Sequence, residues 1–199
     1  VDPSLPVRTS TNPFASDHLS PAMAHLLEHE DLRLRALSLE DLPQLETWEN
    51  DTEGWLSSNT INPLSKDFLQ GYITTSSQHI LETGTMGLMI ELWDGSIPTP
   101  LGHLVLYGYT PLHCRVGLGI YIAPEHRRMG YASRGIRLVC RYAFERLRCQ
   151  QIYAEALAYN TPSQGLLLSL GFRHTATLAR WQWARGDYQD LYYYQKWNE

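Results

Sequence analysis

The chain has no apolar run of the length a membrane span needs, which sets a spanning helix aside. Cysteines are few: Cys114, Cys140 and Cys149 are odd in number and form no C-x-x-C pair. A disulfide framework is therefore not expected, and a reduced, cytoplasmic setting is. Positive charge is also short, since 16 basic against 21 acidic residues leave a net charge of −5. Nucleic acid is accordingly not the expected partner, and the acidic body leans toward a cationic substrate. No uninterrupted apolar leader opens the chain: Val1 to Ser20 is rich in Pro, Ser, Thr and Asn and reads as a flexible arm. Internal repeats and a second composition regime are absent too. At 199 residues, with 43% hydrophobic and 19% charged content, one globular domain follows.

Two phosphate-binding strings are missing as well. There is no G-x-x-x-x-G-K-[ST], and Gly117-Leu118-Gly119 has Ile122 where a dinucleotide fingerprint needs its third glycine. What is present is a different recipe for gripping phosphate. An apolar run, Leu118 to Ile122, ends at Ala123-Pro124 and gives way to Arg127-Arg128-Met129-Gly130-Tyr131-Ala132, after which a helical pattern begins. The first turn of a helix has backbone N–H groups without internal partners and carries the positive end of the dipole. Gly130 lets the backbone approach an oxygen closely, and small Ala132 and Ser133 keep that approach open. Arg127 and Arg128 add full charges suited to phosphate, with Arg134 extending the local basic patch. A surface turn with two solvated arginines is the competing reading.

The remaining elements place this loop. Residues 21 to 30 read as a short helix holding His25, Glu28 and His29, an H-x-x-E-H zinc pattern with no third ligand; solvated histidines are preferred, and no metal is expected. A half-buried strand follows from Asp31 to Ala36, then a helix capped by Ser38 with Leu42, Leu45 and Trp48 at helical spacing. Glu46, Glu49, Asp51 and Glu53 form either the mouth of a cationic-substrate site or a solvated acidic face. Gly54 to Pro63 reads as a loop, and Ser65 caps a helix through Gln78 with Phe68, Leu69, Tyr72 and Ile73 inward. Strands are expected over Met86 to Trp93, with a turn at Asp94-Gly95, and then over Leu101 to Tyr109 and Cys114 to Ile122. A helix from Tyr131 to Leu147, a strand from Gln151 to Ala158 and a helix from Thr161 to Leu170 closed by Gly171 come next. Two strands, Phe172 to Trp183 and Asp190 to Trp197, flank a turn at Ala184 to Asp187. Strands interleave with helices while hairpins exclude an all-parallel sheet, so the class is α/β (α+β in some schemes). Residues 1–30 are read as the arm and 31–199 as the domain.

Four stretches resemble one family. The loop fits R-x-x-G-x-A, which resembles the coenzyme A loop of the GNAT superfamily of N-acetyltransferases. The opening LRLRALSLEDLPQLETWEND is similar to the first strand and helix of its RimJ/RimL-type branch. The strongest likeness is Asn160-Thr-Pro-Ser163 opening a helix that ends in Leu170-Gly171-Phe172, the branch's Asn-x-x-Ser and Leu-Gly-Phe at the family spacing. The tail RGDYQDLYYYQK is similar to the family's closing hairpin.

The resemblance implies a single GNAT-type domain with a mixed, mostly antiparallel sheet of about seven strands and helices on both faces. It implies acetyl-CoA as co-substrate and a primary amine as acceptor, either a small polyamine-like molecule or a protein N-terminus. Ile120, Tyr121 and Ile122 would supply backbone amides to the thioester and pantetheine. Arg127, Arg128, Met129, Gly130, Tyr131, Ala132 and Ser133 would hold the pyrophosphate, with Asn160 and Ser163 also contacting the coenzyme. RimI-type enzymes place a catalytic glutamate where Glu155 stands, five residues before Asn160; a surface glutamate is the alternative. Many relatives use a tyrosine acid where this chain has Leu167, so Ser163, Tyr159 or a water must substitute, with Ser163 favoured and His113 and His126 poorer candidates. That departure leaves a second function class open: a coenzyme-binding module that has lost catalysis. No membrane partner is expected, and a homodimer is compatible with the sequence.

Overall fold

The computed structural model describes residues 26–55, 60–93 and 97–198. Strands β1 (Glu28–His29) and β2 (Leu32–Ala36) form a tight hairpin, with Glu30 in left-handed backbone between them. Ser38 and Asp41 make a capping box over a single 3-10 turn that runs into α1 (Leu42–Glu49), followed by the short α2 (Thr52–Trp55). Then come α3 (Lys66–Ser76), capped by the Ser65 hydroxyl, α4 (Ile80–Thr83), β3 (Met86–Leu92), β4 (Thr99–Thr110) and β5 (Arg115–Ile122). The second half comprises α5 (Tyr131–Glu145), β6 (Gln151–Leu157), α6 (Thr161–Ser169), β7 (Arg173–Ala184) and β8 (Asp187–Trp197).

These strands make one eight-stranded sheet in the order β1-β2-β3-β4-β5-β6-β8-β7, antiparallel everywhere except at β5–β6. Alternation along the strands divides their side chains between two cores. On one face Leu34, Ile90, Leu104, Leu118 and Ile152 meet the apolar stripe of α5, built from Ile136, Val139, Cys140 and Ala143. Gly135 brings that helix down onto Leu34 and Ile90, whose side chains lie 3.9 and 3.5 Å from where a Cβ would stand. On the other face Met89 and Ala123 pack with Leu45 and Trp48 of α1 and Ile73 of α3. Each fully buried aliphatic side chain contributes roughly 1.5–3 kcal/mol relative to exposure, so the two cores together fix both helical layers onto the sheet.

The mixed sheet with helices on both faces agrees with expectation, and the eighth strand is β1. A helix over 21–30 is not what the described end of that stretch forms. Glu28 and His29 pair with Arg33 and Leu32 instead, because the chain reverses at Glu30 and the edge of β2 is open to them. His25 lies outside the described residues, as do residues 56–59 of the expected loop and the Asp94-Gly95 turn, while Gly54 and Trp55 of that loop end α2. Phe68, expected inward, is 59% exposed, while Leu69 and Ile73 carry the burial of α3.

Candidate active site

The parallel pairing of β5 with β6 is short. It covers Arg115, Val116 and Gly117 against Gln151, Ile152 and Tyr153, and then stops. Beyond it β5 stays paired with β4 out to Ile122, and β6 stays paired with β8 out to Leu157. The two strands therefore part, and the side of β5 facing the gap has backbone groups with no strand partner. Such an edge hydrogen-bonds an extended ligand as a neighbouring strand would. Ile120, Tyr121 and Ile122 lie along it, in register with Leu104, His103 and Gly102 of β4.

At the far end of β5 a 3-10 turn, Pro124–His126, leads into the loop. Arg128 sits at φ 62° and Gly130 at φ 83°, both left-handed. Gly130 caps α5 with no atom within 4 Å of where a Cβ would stand. The N–H groups of Tyr131, Ala132 and Ser133 open the helix beyond it, and Ser133 turns its hydroxyl back to the Gly130 carbonyl at 2.7 Å. Arg127 and Arg128 are exposed, as is Met129. Arg127 is also a strut: its Nε donates to the Ile122 carbonyl at 2.9 Å and its guanidinium stands 5.7 Å from the Tyr121 ring centre. Arg134 leaves the patch assigned to it. It pairs with Asp31 and, at 3.5 Å, with Glu30, because the β1–β2 turn brings two carboxylates beside it.

Across the gap, β6 presents Glu155, half-buried, opposite Tyr193 of β8. The Tyr193 hydroxyl donates to that carboxylate; this bond, then burial, pushes the tyrosine up to about 12. The Tyr107 ring lies against Gly117, where a Cβ would stand only 2.4 Å from it, and meets Tyr153 edge-on at 5.6 Å. Tyr153 stacks in turn on Tyr193 at 6.4 Å. Burial above all, and then the Glu155 charge, raise the Tyr107 hydroxyl well above its usual range. One carboxylate thus stands among tyrosines kept protonated, at the point where the strands part.

On α6, the Asn160 Oδ1 accepts from the Ser163 N–H at 3.3 Å, so the expected cap is formed and the amide nitrogen is the donor left for a ligand. Ser163 is half-buried one turn before Leu167, which packs into the main core. Tyr159 is drawn toward a separate cluster of Leu157, Ala184 and Leu191, under the Arg185 guanidinium at 4.2 Å. His126 lies against Tyr131, and His113 is exposed in the β4–β5 turn.

The acidic stretch after α1 splits by role. Glu46 pairs with Lys66 at 3.3 Å, and Asp51 caps the Glu53 N–H at 3.1 Å. Glu49 reaches His103 of β4, whose Nε2 lies 2.9 Å from its Oε1. The His103 ring stacks on Tyr121 and on Trp48, with centroids 5.6 and 6.3 Å away. No sequence signal marks His103, Tyr107 or Tyr193, since the partners of each are remote in the chain. Among the described residues no group of His, Cys, Asp and Glu could hold a metal, and Glu28 and His29 of the zinc pattern lie on a strand.

A family model described as an acetyltransferase (GNAT) domain matches residues 31–173. Two curated proteins of Bacillus subtilis (strain 168), the uncharacterized N-acetyltransferases YoaA and YnaD, are similar. YoaA is 32% identical over 94 residues, covering 47% of this chain and 53% of its own. YnaD is 26% identical over 102 residues, covering 49% and 59%. The chain thus spans little more than half the length of these relatives. The crystal structure of spermidine N-acetyltransferase from Vibrio cholerae in complex with CoA and spermine is similar in fold. Its TM-score is 0.76 at 24% identity, over 84% of this chain and 95% of that one.

Proposed function

The chain belongs to the acetyltransferase (GNAT) domain family, and on that premise we propose that it is an acetyl-CoA-dependent N-acetyltransferase of the RimJ/RimL-type branch. The parting of β5 from β6 beyond Gly117, with a left-handed basic loop and a helix start at its end, carries this reading. When bound, acetyl-CoA supplies an activated acetyl group. Arg127, Arg128 and the N–H groups from Gly130 to Ser133 neutralise and hold its pyrophosphate. The amides among Ile120, Tyr121 and Ile122 bind the pantetheine and steady negative charge on the carbonyl oxygen as it develops. Asn160 and Ser163 hold the arm from the other side of the gap.

An ammonium group cannot attack until it gives up a proton. Glu155 takes that proton, directly or through a water, with Tyr193 fixing the carboxylate's orientation. The amine nitrogen then bonds to the carbonyl carbon, the carbon–sulfur bond breaks, and the departing sulfur is reprotonated. Ser163 stands one turn before Leu167 on α6, and it is assigned as the donor. The acceptor is a small, polyamine-like primary amine; the acidic body, Glu49 and Asp51 beside the gap, and the spermidine enzyme's similar fold support this class.

Release of thiol from acetyl-CoA, measured with a panel of small amines and N-terminal peptides, tests the reading. Turnover on small amines is expected. Glu155→Gln should lower kcat by about 10²–10⁴-fold and flatten the acidic limb of the pH profile. Turnover on peptides alone overturns the acceptor, an unchanged profile overturns the role of Glu155, and coenzyme binding without any turnover favours a module that has lost catalysis.

A further inference from the structure

Glu49 closes α1 with its side chain 24% exposed, and among the described residues it pairs with an imidazole rather than a lysine or arginine. An ionised carboxylate can only accept, so the Nε2 of His103 carries the hydrogen between them. The His103 residue is 9% exposed, and its Nδ1 has no hydrogen-bond partner among the described residues. A buried polar nitrogen without a partner is destabilising, and a polar ligand that reaches it relieves that cost.

The walls are aromatic. Trp48 and Tyr121 stack on His103 and lie 5.7 Å from each other. Tyr121 feels the charges of Asp51 and Glu49, and Tyr72 of α3 also faces Glu49. The Trp55 indole N–H donates to the Glu49 carbonyl at 2.7 Å, which locks the end of α1 against α2. Rings around a carboxylate suit an alkylammonium, which gains from the π faces and from the charge together. Tyr121 is also the β5 residue between Ile120 and Ile122, so this cluster adjoins the place proposed to hold the thioester.

We propose that Glu49, braced by His103 and walled by Trp48, Tyr72 and Tyr121, binds a second positive charge of the acceptor and so selects diamines over monoamines. The inference rests on the N-acetyltransferase reading for what happens to the other amine, but the subsite can be tested apart from turnover. Calorimetric titration with diaminobutane and with butylamine should show the diamine binding at least about tenfold tighter to the wild type. In Glu49→Gln that preference should fall by about tenfold, and in thiol release the change should appear in KM rather than kcat. His103→Gln, which still offers an N–H to the carboxylate, should keep most of the preference, whereas His103→Leu should lose it. Thermal melts of each variant separate these effects from unfolding. Equal binding of the two amines by the wild type, or a preference intact in a folded Glu49→Gln, overturns the subsite. Diamine binding lost in Glu49→Gln without thiol release from any amine leaves the subsite standing and overturns the acetyltransferase reading.

Discussion

Asp41 is 5% exposed yet charged, and its surroundings explain how. Burial by itself would raise its carboxyl, but the Arg35 guanidinium grips both oxygens at 2.7 and 2.8 Å and the Ser38 N–H adds a third bond at 2.9 Å. Together these outweigh burial and hold Asp41 below the ordinary value of 3.8. Arg35 in turn reaches Glu91, which is fully buried and also paired with Arg33. A carboxylate depressed in the fold adds stability above its unfolded value and loses it as pH falls through its native one. Asp41→Asn should therefore cost about 1–3 kcal/mol at neutral pH. In urea titrations that difference should shrink below pH 3.8; a difference constant into the acid range would contradict the assignment. At this scale the sequence reveals the cap at Ser38 but not the arginine beneath it, since a charged residue on an alternating strand reads the same whether it pairs across the sheet or faces water.

The element that matters most is β5, paired with β4 from Gly117 to Ile122 on one side and open on the other beyond Gly117. Gly102 of β4 permits this closeness: a Cβ there would stand 2.1 Å from the Tyr121 carbonyl oxygen and 2.9 Å from the Ile122 Cα. Those are backbone atoms and cannot swing aside. Gly102→Ala should push β5 out of line, destabilise the fold by roughly 1–3 kcal/mol and weaken coenzyme binding as well. A variant that melts and binds coenzyme like the wild type would show that the strand yields elsewhere. Most elements were legible because their apolar periods are clean: the stripe of α5 and the alternation of β2 match their burial. Short elements escape such reading: α2 takes in Gly54 and Trp55 of the expected loop, α4 is a single turn, and the Glu28–His29 pairing depends on a reversal at Glu30 that no turn residue announces.

For the whole molecule, the sequence reads well where function lies within one stretch and poorly where it is assembled. The loop from Arg127 to Ser133 and the turn from Asn160 to Ser163 are contiguous, so residue type and spacing mark them. Glu49 with His103, and Glu155 with Tyr107 and Tyr193, come together only when α1, β4, β6 and β8 share one face of the sheet. All of it depends on the coenzyme lying in the gap with its pyrophosphate on the loop. Arg128 offers the cleanest probe, because its φ of 62° is one glycine adopts freely, so Arg128→Gly removes the charge and spares the backbone. Calorimetric titration of acetyl-CoA should show one-site binding to the wild type and affinity weaker by about tenfold or more in Arg128→Gly. No heat with the wild-type protein, or equal affinity in the two, would contradict the account.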